Sequence, residues 1–283
     1  MAQQRMTPDL DAVAAGFSAK AAEYDALAAT DPVTRWLRAR IRALVEAQVS
    51  PPGSILEINA GSGLDAAFFA SNGYHVHATD IAPGMLEATA AKAALPDTGG
   101  RLTCEALSFT DLDKVSGAPY DLVFSNLGGL NCTPDLGPVV AGLRDVLRPG
   151  GTVVWVLMPP ICLWELALVF TGRFRLAFRR LSPGGTRAHL EGRHFDIAYY
   201  RPREVVAAFG DAYGLLSVEG LSVITPTAES RNLAKRHRGL YRTLAWLDDR
   251  LAPRAPFSGW GDFFIVSLRH RASPAALGAM SVR

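Results

Sequence analysis

Ser54 to Asp65 read SILEINAGSGLD, in which an apolar strand that carries an acid runs directly into a glycine-rich bend and the start of a helix. Gly61 and Gly63 lack a Cβ, so the backbone turns sharply there and a ligand can lie against bare amides at the helix N-terminus. The next apolar run, Tyr74 to Thr79, ends in a second acid, Asp80. A doubly wound sheet places such a carboxylate where the hydroxyls of a ribose lie, so this arrangement predicts a nucleoside, with adenosine as the natural choice.

Strand and helix patterns alternate around the bend. Ser54 to Ile58 is followed by a helix over Leu64 to Asn72, a strand over Tyr74 to Thr79 and a helix over Pro83 to Ala94. Strands three and four fall at Arg101 to Leu107 and Asp121 to Phe124; a helix over Pro134 to Leu147, capped by Thr133, leads into strand five at Thr152 to Met158. Such alternation implies a parallel sheet with right-handed crossovers. Asp9 to Gln48 is a helical prelude, and Pro160 to Arg180 reads as one helix with a basic end. Ala188 to Tyr200 reads as a strand or hairpin, Pro202 to Tyr213 as a helix, and Leu216 to Ile224 and Phe263 to Leu268 as the last strands.

The 283 residues are 49% hydrophobic and 20% charged, which excludes a disordered chain, and a net charge of +2 is too mild for a nucleic-acid partner. Cys104, Cys132 and Cys162 show no paired spacing, which argues against a disulfide framework and a zinc site and fits a reducing, cytoplasmic setting. The apolar stretch from Thr152 to Phe170 is broken by Pro159-Pro160 and holds Glu165, so it predicts no membrane span, and the chain opens on no secretory leader.

Several separate motifs resemble the class I S-adenosylmethionine-dependent methyltransferases, over roughly Phe17 to Arg269. Glu57-Ile58-Asn59-Ala60-Gly61-Ser62-Gly63 is similar to the family's first motif, an acid followed by three alternating glycines, and Asp80-Ile81-Ala82-Pro83-Gly84-Met85-Leu86 to its second. Phe124-Ser125-Asn126 resembles the end of the family's fourth strand, and Arg148-Pro149-Gly150-Gly151 the turn before its fifth. Phe17 to Asp25 resembles a segment that folds over the cofactor. Two positions depart: Asn59 replaces the first glycine, and Ser108 stands where an acid often holds the adenine amino group. Asparagine tolerates the left-handed backbone better than most residues, and a serine hydroxyl hydrogen-bonds without charge assistance.

The resemblance implies a seven-stranded, mostly parallel, doubly wound α/β sheet of Rossmann-like type, with a helical N-terminal segment and a cap inserted after strand five. The implied division is residues 1–50 over the cofactor, a binding core at 51–158, a substrate cap at 159–201, a C-terminal part of the core at 202–270 with a helical insertion at 226–260, and a flexible tail at 271–283. It further implies S-adenosyl-L-methionine as cofactor, held by Tyr24, Glu57, Asn59, Ala60, Gly61, Gly63, Asp80, Ile81, Met85, Leu107, Ser108, Phe109, Asn126 and Leu127. Methyl transfer to an oxygen or nitrogen of a small, natural-product-like acceptor is the expected activity, in a monomer or homodimer.

For the acceptor side the candidates are His194 as base, Glu165 and Tyr199 as orienting groups, and Asn131, Trp164 and Arg173 as binding residues. Arg35 and Arg38 read as surface charges, and the arginines from Arg173 to Arg193 as either a solvated face or a site for a phosphate or carboxylate. Gly61-x-Gly63-x-x-Ala66 also satisfies the dinucleotide fingerprint, so a nicotinamide-dependent oxidoreductase is the rival enzyme. A non-catalytic S-adenosylmethionine-binding protein is the rival outside enzymes.

Overall fold

A computed structural model describes residues 9–228 and 231–271. The chain opens with two helices, α1 (Leu10–Thr30) and α2 (Pro32–Glu46). They are separate because Asp31 ends the first and caps the second: its carboxylate accepts the Val33 and Thr34 amides, with Pro32 in the first turn. Next come β1 (Ser54–Ile58), α3 (Leu64–Ser71), β2 (His75–Asp80), α4 (Pro83–Ala93), β3 (Leu102–Ala106), β4 (Tyr120–Ser125), α5 (Gly137–Val146) and β5 (Leu147–Leu157). Two single-turn helices follow, α6 (Leu163–Leu166) and α7 (Phe174–Ala177), and then the hairpin β6 (Thr186–Leu190) and β7 (Arg193–Ile197). The chain closes with α8 (Pro202–Phe209), β8 (Tyr213–Leu221), α9 (Arg231–Arg236), α10 (Arg238–Leu251) and β9 (Phe263–His270).

Seven strands form one sheet in the order β3-β2-β1-β4-β5-β9-β8, parallel except for β9, which runs antiparallel to both neighbours. The doubly wound α/β expectation therefore holds. Alternate residues feed two cores: Leu56, Val123, Trp155 and Val266 face α5 and α8, while Ile55, Phe124, Val154 and Ile265 face α2 and α3. Burial on both faces explains why these strands are near-continuous apolar runs. The sheet reverses direction of winding between β1 and β4, and the crevice at their carboxyl ends is where such folds take ligands.

Three local expectations are corrected. Pro160 to Arg180 is not one helix: a 3-10 turn follows α6, and Gly172 at φ +74° ends it before α7 begins. Thr133 does not cap α5; it exchanges hydrogen bonds with Asp135 in a turn, and the helix starts at Gly137 with Pro138 beside it. The helical insertion expected at 226–260 is two helices, α9 and α10, separated at His237. Of the tail expected at 271–283, residues 272–283 lie outside the described residues, as do the first eight, and no described helix is long and apolar enough to cross a membrane.

Candidate active site

The bend after β1 takes left-handed backbone at alternate positions, with φ of +47° at Asn59, +58° at Gly61 and +72° at Gly63. Asn59 thus occupies a conformation normally given to glycine, and its side chain is anchored because Oδ1 accepts the Ser125 hydroxyl at 2.9 Å. Its Nδ2 is buried with no hydrogen-bond partner in the protein. A Cβ on Gly61 would meet nothing nearer than the Met85 sulfur at 4.0 Å, so the missing side chain leaves open space. That space is a cavity of about 890 Å³, mouth included, on whose wall lie Asn59, Gly61, Asp80 and Asn126.

Asp80 fixes the bend. Oδ2 accepts the Gly61 amide at 2.8 Å and Oδ1 the Ala82 amide at 2.9 Å, and the Ile81 amide also donates to the carboxylate, which keeps lone-pair capacity to spare on the cavity wall. Burial pushes its pKa up, against the pull of those amides. Ile81, Met85, Leu107 and Phe109 supply apolar wall beside it, and Tyr24, packed against Ala82 and Met85, and Leu127 line the same cavity. Leu127 also holds a left-handed φ of +45°, a costly conformation for a branched side chain.

α1 lies across the mouth. Its close approach to α4 depends on Gly84, whose amide donates to Ser18 Oγ at 3.2 Å and whose missing Cβ would sit 2.7 Å from the Ser18 carbonyl oxygen. Gly84→Ala should therefore cost about 1–3 kcal/mol of stability, read as a melting temperature lower by several degrees; an unchanged melting temperature would show that α1 yields freely. From α1 come Val13 and Phe17, and from the β6–β7 hairpin Phe195 and Ile197, to close the cavity. Ser62 and Lys92 both bind Asp25, tying the same helix down.

A second chamber, about 960 Å³ with its mouth, shares Tyr24, Leu127 and Met158 with the first. Arg38 is on its wall. This residue is 8% exposed rather than a surface charge, because α2 packs over the start of α3 and Arg38 pairs there with Asp65. Asp65 also accepts Arg42 Nε at 2.7 Å and Asn126 Nδ2 at 2.6 Å. Glu57 lies behind this group, where burial and the Asp65 charge push its carboxyl well up and the Ala66 amide is its hydrogen-bond donor.

Not every expected residue reaches the first cavity. Glu57, Ala60, Gly63 and Ser108 shape or flank the bend without lining it; the Ser108 hydroxyl is taken by Thr110. His194 is corrected as a base: β7 alternates, so Phe195 and Ile197 point inward while His194 is exposed and pairs with His189 across the hairpin, ring centroids 4.6 Å apart. Tyr199 hydrogen-bonds Thr186 outside both cavities. Glu165 does line the second chamber, but both its oxygens are taken by Arg179 and Arg180. Asn131 is a buried strut that binds backbone at Met158 and Ala198, Trp164 donates to the Ile224 carbonyl, and Arg173 is exposed.

The family described as a methyltransferase domain matches residues 55–151, the span from β1 into the first half of β5. The chain is 29% identical over 217 residues to a malonyl-[acyl-carrier protein] O-methyltransferase of Halorhodospira halophila, covering 70% of this chain and 69% of that one. It is 30% identical over 162 residues to the enzyme of the same name from Serratia marcescens, covering 56% and 58%. The matched domain and these relatives support a class I S-adenosylmethionine-dependent methyltransferase. Among solved structures, the CcbJ methyltransferase of Streptomyces caelestis superposes with a TM-score of 0.59 at 18% identity, covering 91% of this chain and 99% of that one. The Burkholderia thailandensis 1,6-didemethyltoxoflavin-N1-methyltransferase, solved with its substrate and S-adenosylhomocysteine, gives 0.56 at 16% identity, covering 96% and 93%.

S-adenosylmethionine is thus the cofactor of this methyltransferase, and the residues suit it. The open space at Gly61, the spare lone pairs of Asp80 and the orphaned Asn59 amide are complementary to a nucleoside with a polar amino-acid arm.

Proposed function

We propose that this methyltransferase transfers a methyl group to an oxygen or nitrogen of a small organic acceptor of natural-product type, with the donor in the cavity at the Gly61 bend and the acceptor in the chamber beside it. The observation that carries the reading is the open cavity at the bend with the Asp80 carboxylate on its wall. In this arrangement Asp80 accepts the ribose hydroxyls, and Ile81, Met85, Leu107 and Phe109 flank the adenine. Asn59, Asn126, Leu127 and Tyr24 face the methionine arm.

The donor supplies a sulfonium whose methyl carbon is already electrophilic. What remains for the chain is to align a nucleophile behind that carbon and keep water away, and positioning of this kind lowers a barrier by several kcal/mol, about 7–11 in the best intramolecular cases. Tyr24, Leu127 and Met158 border both cavities and so mark the passage between donor and acceptor. Phe17, Phe195 and Ile197 exclude solvent from the donor side.

The relatives named above act, by their names, on an oxygen of a malonyl group carried by a protein. An acceptor delivered on a carrier is therefore the second reading, supported by identity over most of this chain. Thermal denaturation separates the donor from its nicotinamide rival. At a hundredfold excess over its Kd, S-adenosylhomocysteine should stabilise the fold by about 2.7 kcal/mol and raise the melting temperature by roughly 5–10 °C, while NAD leaves it unchanged. A shift with NAD alone overturns the assignment. Saturable binding of S-adenosylmethionine with no methyl transfer to any acceptor would return the non-catalytic reading.

A further inference from the structure

We infer that the acceptor is a carboxylic acid, held as its anion by Arg38 in the second chamber and released as a methyl ester; this rests on the donor reading above.

Charge comes first. On the chamber wall Arg38, Arg179 and Arg180 stand against Glu165 and Asp262, three guanidiniums to two carboxylates, and behind the wall Arg38 shares Asp65 with Arg42, so the group keeps one positive charge uncancelled. The bound donor, with an ammonium and a sulfonium against one carboxylate, adds one positive charge, which the Asp80 carboxylate on its own wall balances, so the chamber's excess persists when the donor is in place. Such a site repels a protonated amine and draws an anion.

Arg38 is the group placed to receive it. It is nine-tenths buried, its Nη1 binds Asp65, and its Nε has no hydrogen-bond partner. Asp65 is already shared with Arg42 and Asn126, so it does not saturate this guanidinium. A buried cation with an unused donor is satisfied by a planar carboxylate, the partner that guanidinium geometry favours.

The second argument is the lack of a base. Among the described residues, none of His75, His77, His189, His194, His237 and His270 borders either cavity. The Cys132 thiol on the donor wall is pushed up to about 12 by burial, and burial likewise raises the Tyr24 phenol. In the chamber, Glu165 is held below the usual carboxylate range by its two arginines, too acidic to take a proton from an alcohol. A hydroxyl acceptor would keep its proton here. A carboxylic acid, with a pKa near 4, arrives without one.

The step then balances with no proton moved. A carboxylate oxygen lone pair forms the new C–O bond to the methyl carbon, the C–S bond breaks, and its electron pair goes to sulfur. An anion and a sulfonium become a neutral ester and a neutral thioether. The ester no longer pairs with Arg38, which favours its departure.

The test uses the full chain and a donor labelled with tritium in the methyl group. Acceptors are malonyl-N-acetylcysteamine and benzoate, each beside its primary amide and the matching alcohol, together with a small-molecule extract of the source cells. Alkali should release the transferred label as volatile methanol, the signature of a methyl ester, and the rate should be flat between about pH 6 and 9. Arg38→Gln should raise the acceptor KM by about 10- to 100-fold, with the donor KM within about twofold, and Arg38→Lys should recover part of the loss. The inference is overturned by alkali-stable label, by transfer to the amides or alcohols but not the acids, or by a rate climbing about tenfold per pH unit. Arg38→Gln raising the donor KM alone would instead assign Arg38 to the donor's own carboxylate and overturn it too. The first three readouts need only the native chain, so a variant that fails to fold does not blunt them. Failure of the donor reading is distinct, since it appears as no binding of S-adenosylhomocysteine at all.

Discussion

Asp80→Ala lowers the affinity for S-adenosylmethionine by about 30- to 150-fold, the equivalent of roughly 2–3 kcal/mol for charge-assisted hydrogen bonds to two ribose hydroxyls. Calorimetric titration checks it, and unchanged affinity would remove Asp80 from the site. The same change also strips the Gly61 and Ala82 amides of their acceptor, so the bend loses its internal brace as well as its ligand contact. The two effects separate in Asp80→Asn, whose single carbonyl oxygen can brace one amide but whose NH2 cannot accept from anything. Its affinity should fall between the native and alanine values. Because burial raises the Asp80 pKa, protonation begins to weaken donor binding at a higher pH than an ordinary aspartate would allow. Affinity therefore declines as the pH falls toward that raised value, and a titration series across the acidic range reads the decline.

Much of this site was legible in the sequence, for physical reasons that can be traced. The period-two burial of Ile55 against Leu56, or of Val154 against Trp155, is invisible in a strand apolar at every position, yet the run itself and the turn residues around it locate the strand. Gly61 and Gly63 announce left-handed backbone, and Asn59 at +47° was recognisable as the one side chain that substitutes for glycine there. Arg38 was not legible. On a helix wheel α2 offers it as one arginine among four, and only the crossing of α2 over α3 buries it against Asp65. His194 was misplaced for the converse reason: composition marked it as chemistry, while hairpin register decides which face it takes, and Phe195 and Ile197 take the inner one. Those two, with Val13, Cys132 and Met158, were missed as cavity walls; the alternation of Phe195 and Ile197 in a β-rich segment was the available signal. The tandem arginines at 179 and 180 hinted at an acidic partner, which proves to be Glu165 on α6 of the same chain segment.

That internal partner makes Glu165→Ala the variant expected to damage the fold most. The carboxylate, 8% exposed, accepts Arg179 through Nε at 2.8 Å and Nη2 at 2.6 Å, and Arg180 through Nε at 2.8 Å; Arg180, 5% exposed, also binds Asp262. Deleting one member of a buried ionic group leaves the others uncompensated, so the loss should be about 3 kcal/mol and the melting temperature lower by roughly 6–12 °C. Glu165→Gln, which keeps an acceptor oxygen, should lose less. The pH dependence tells ionic from packing loss. Burial pushes the Glu165 carboxyl up, but the hydrogen bonds and charges of Arg179 and Arg180 more than offset this and hold it below its ordinary value. A group depressed in the folded state contributes stability above its unfolded pKa, near 4.3 for glutamate, and surrenders it as the pH falls through the folded value. The gap in melting temperature between the native chain and Glu165→Gln should accordingly be full at neutral pH and close below about pH 4. A gap that persists unchanged into acid would mean that the cap is held by packing around Glu165, and that its charge contributes nothing to holding Arg179 and Arg180 at the chamber wall.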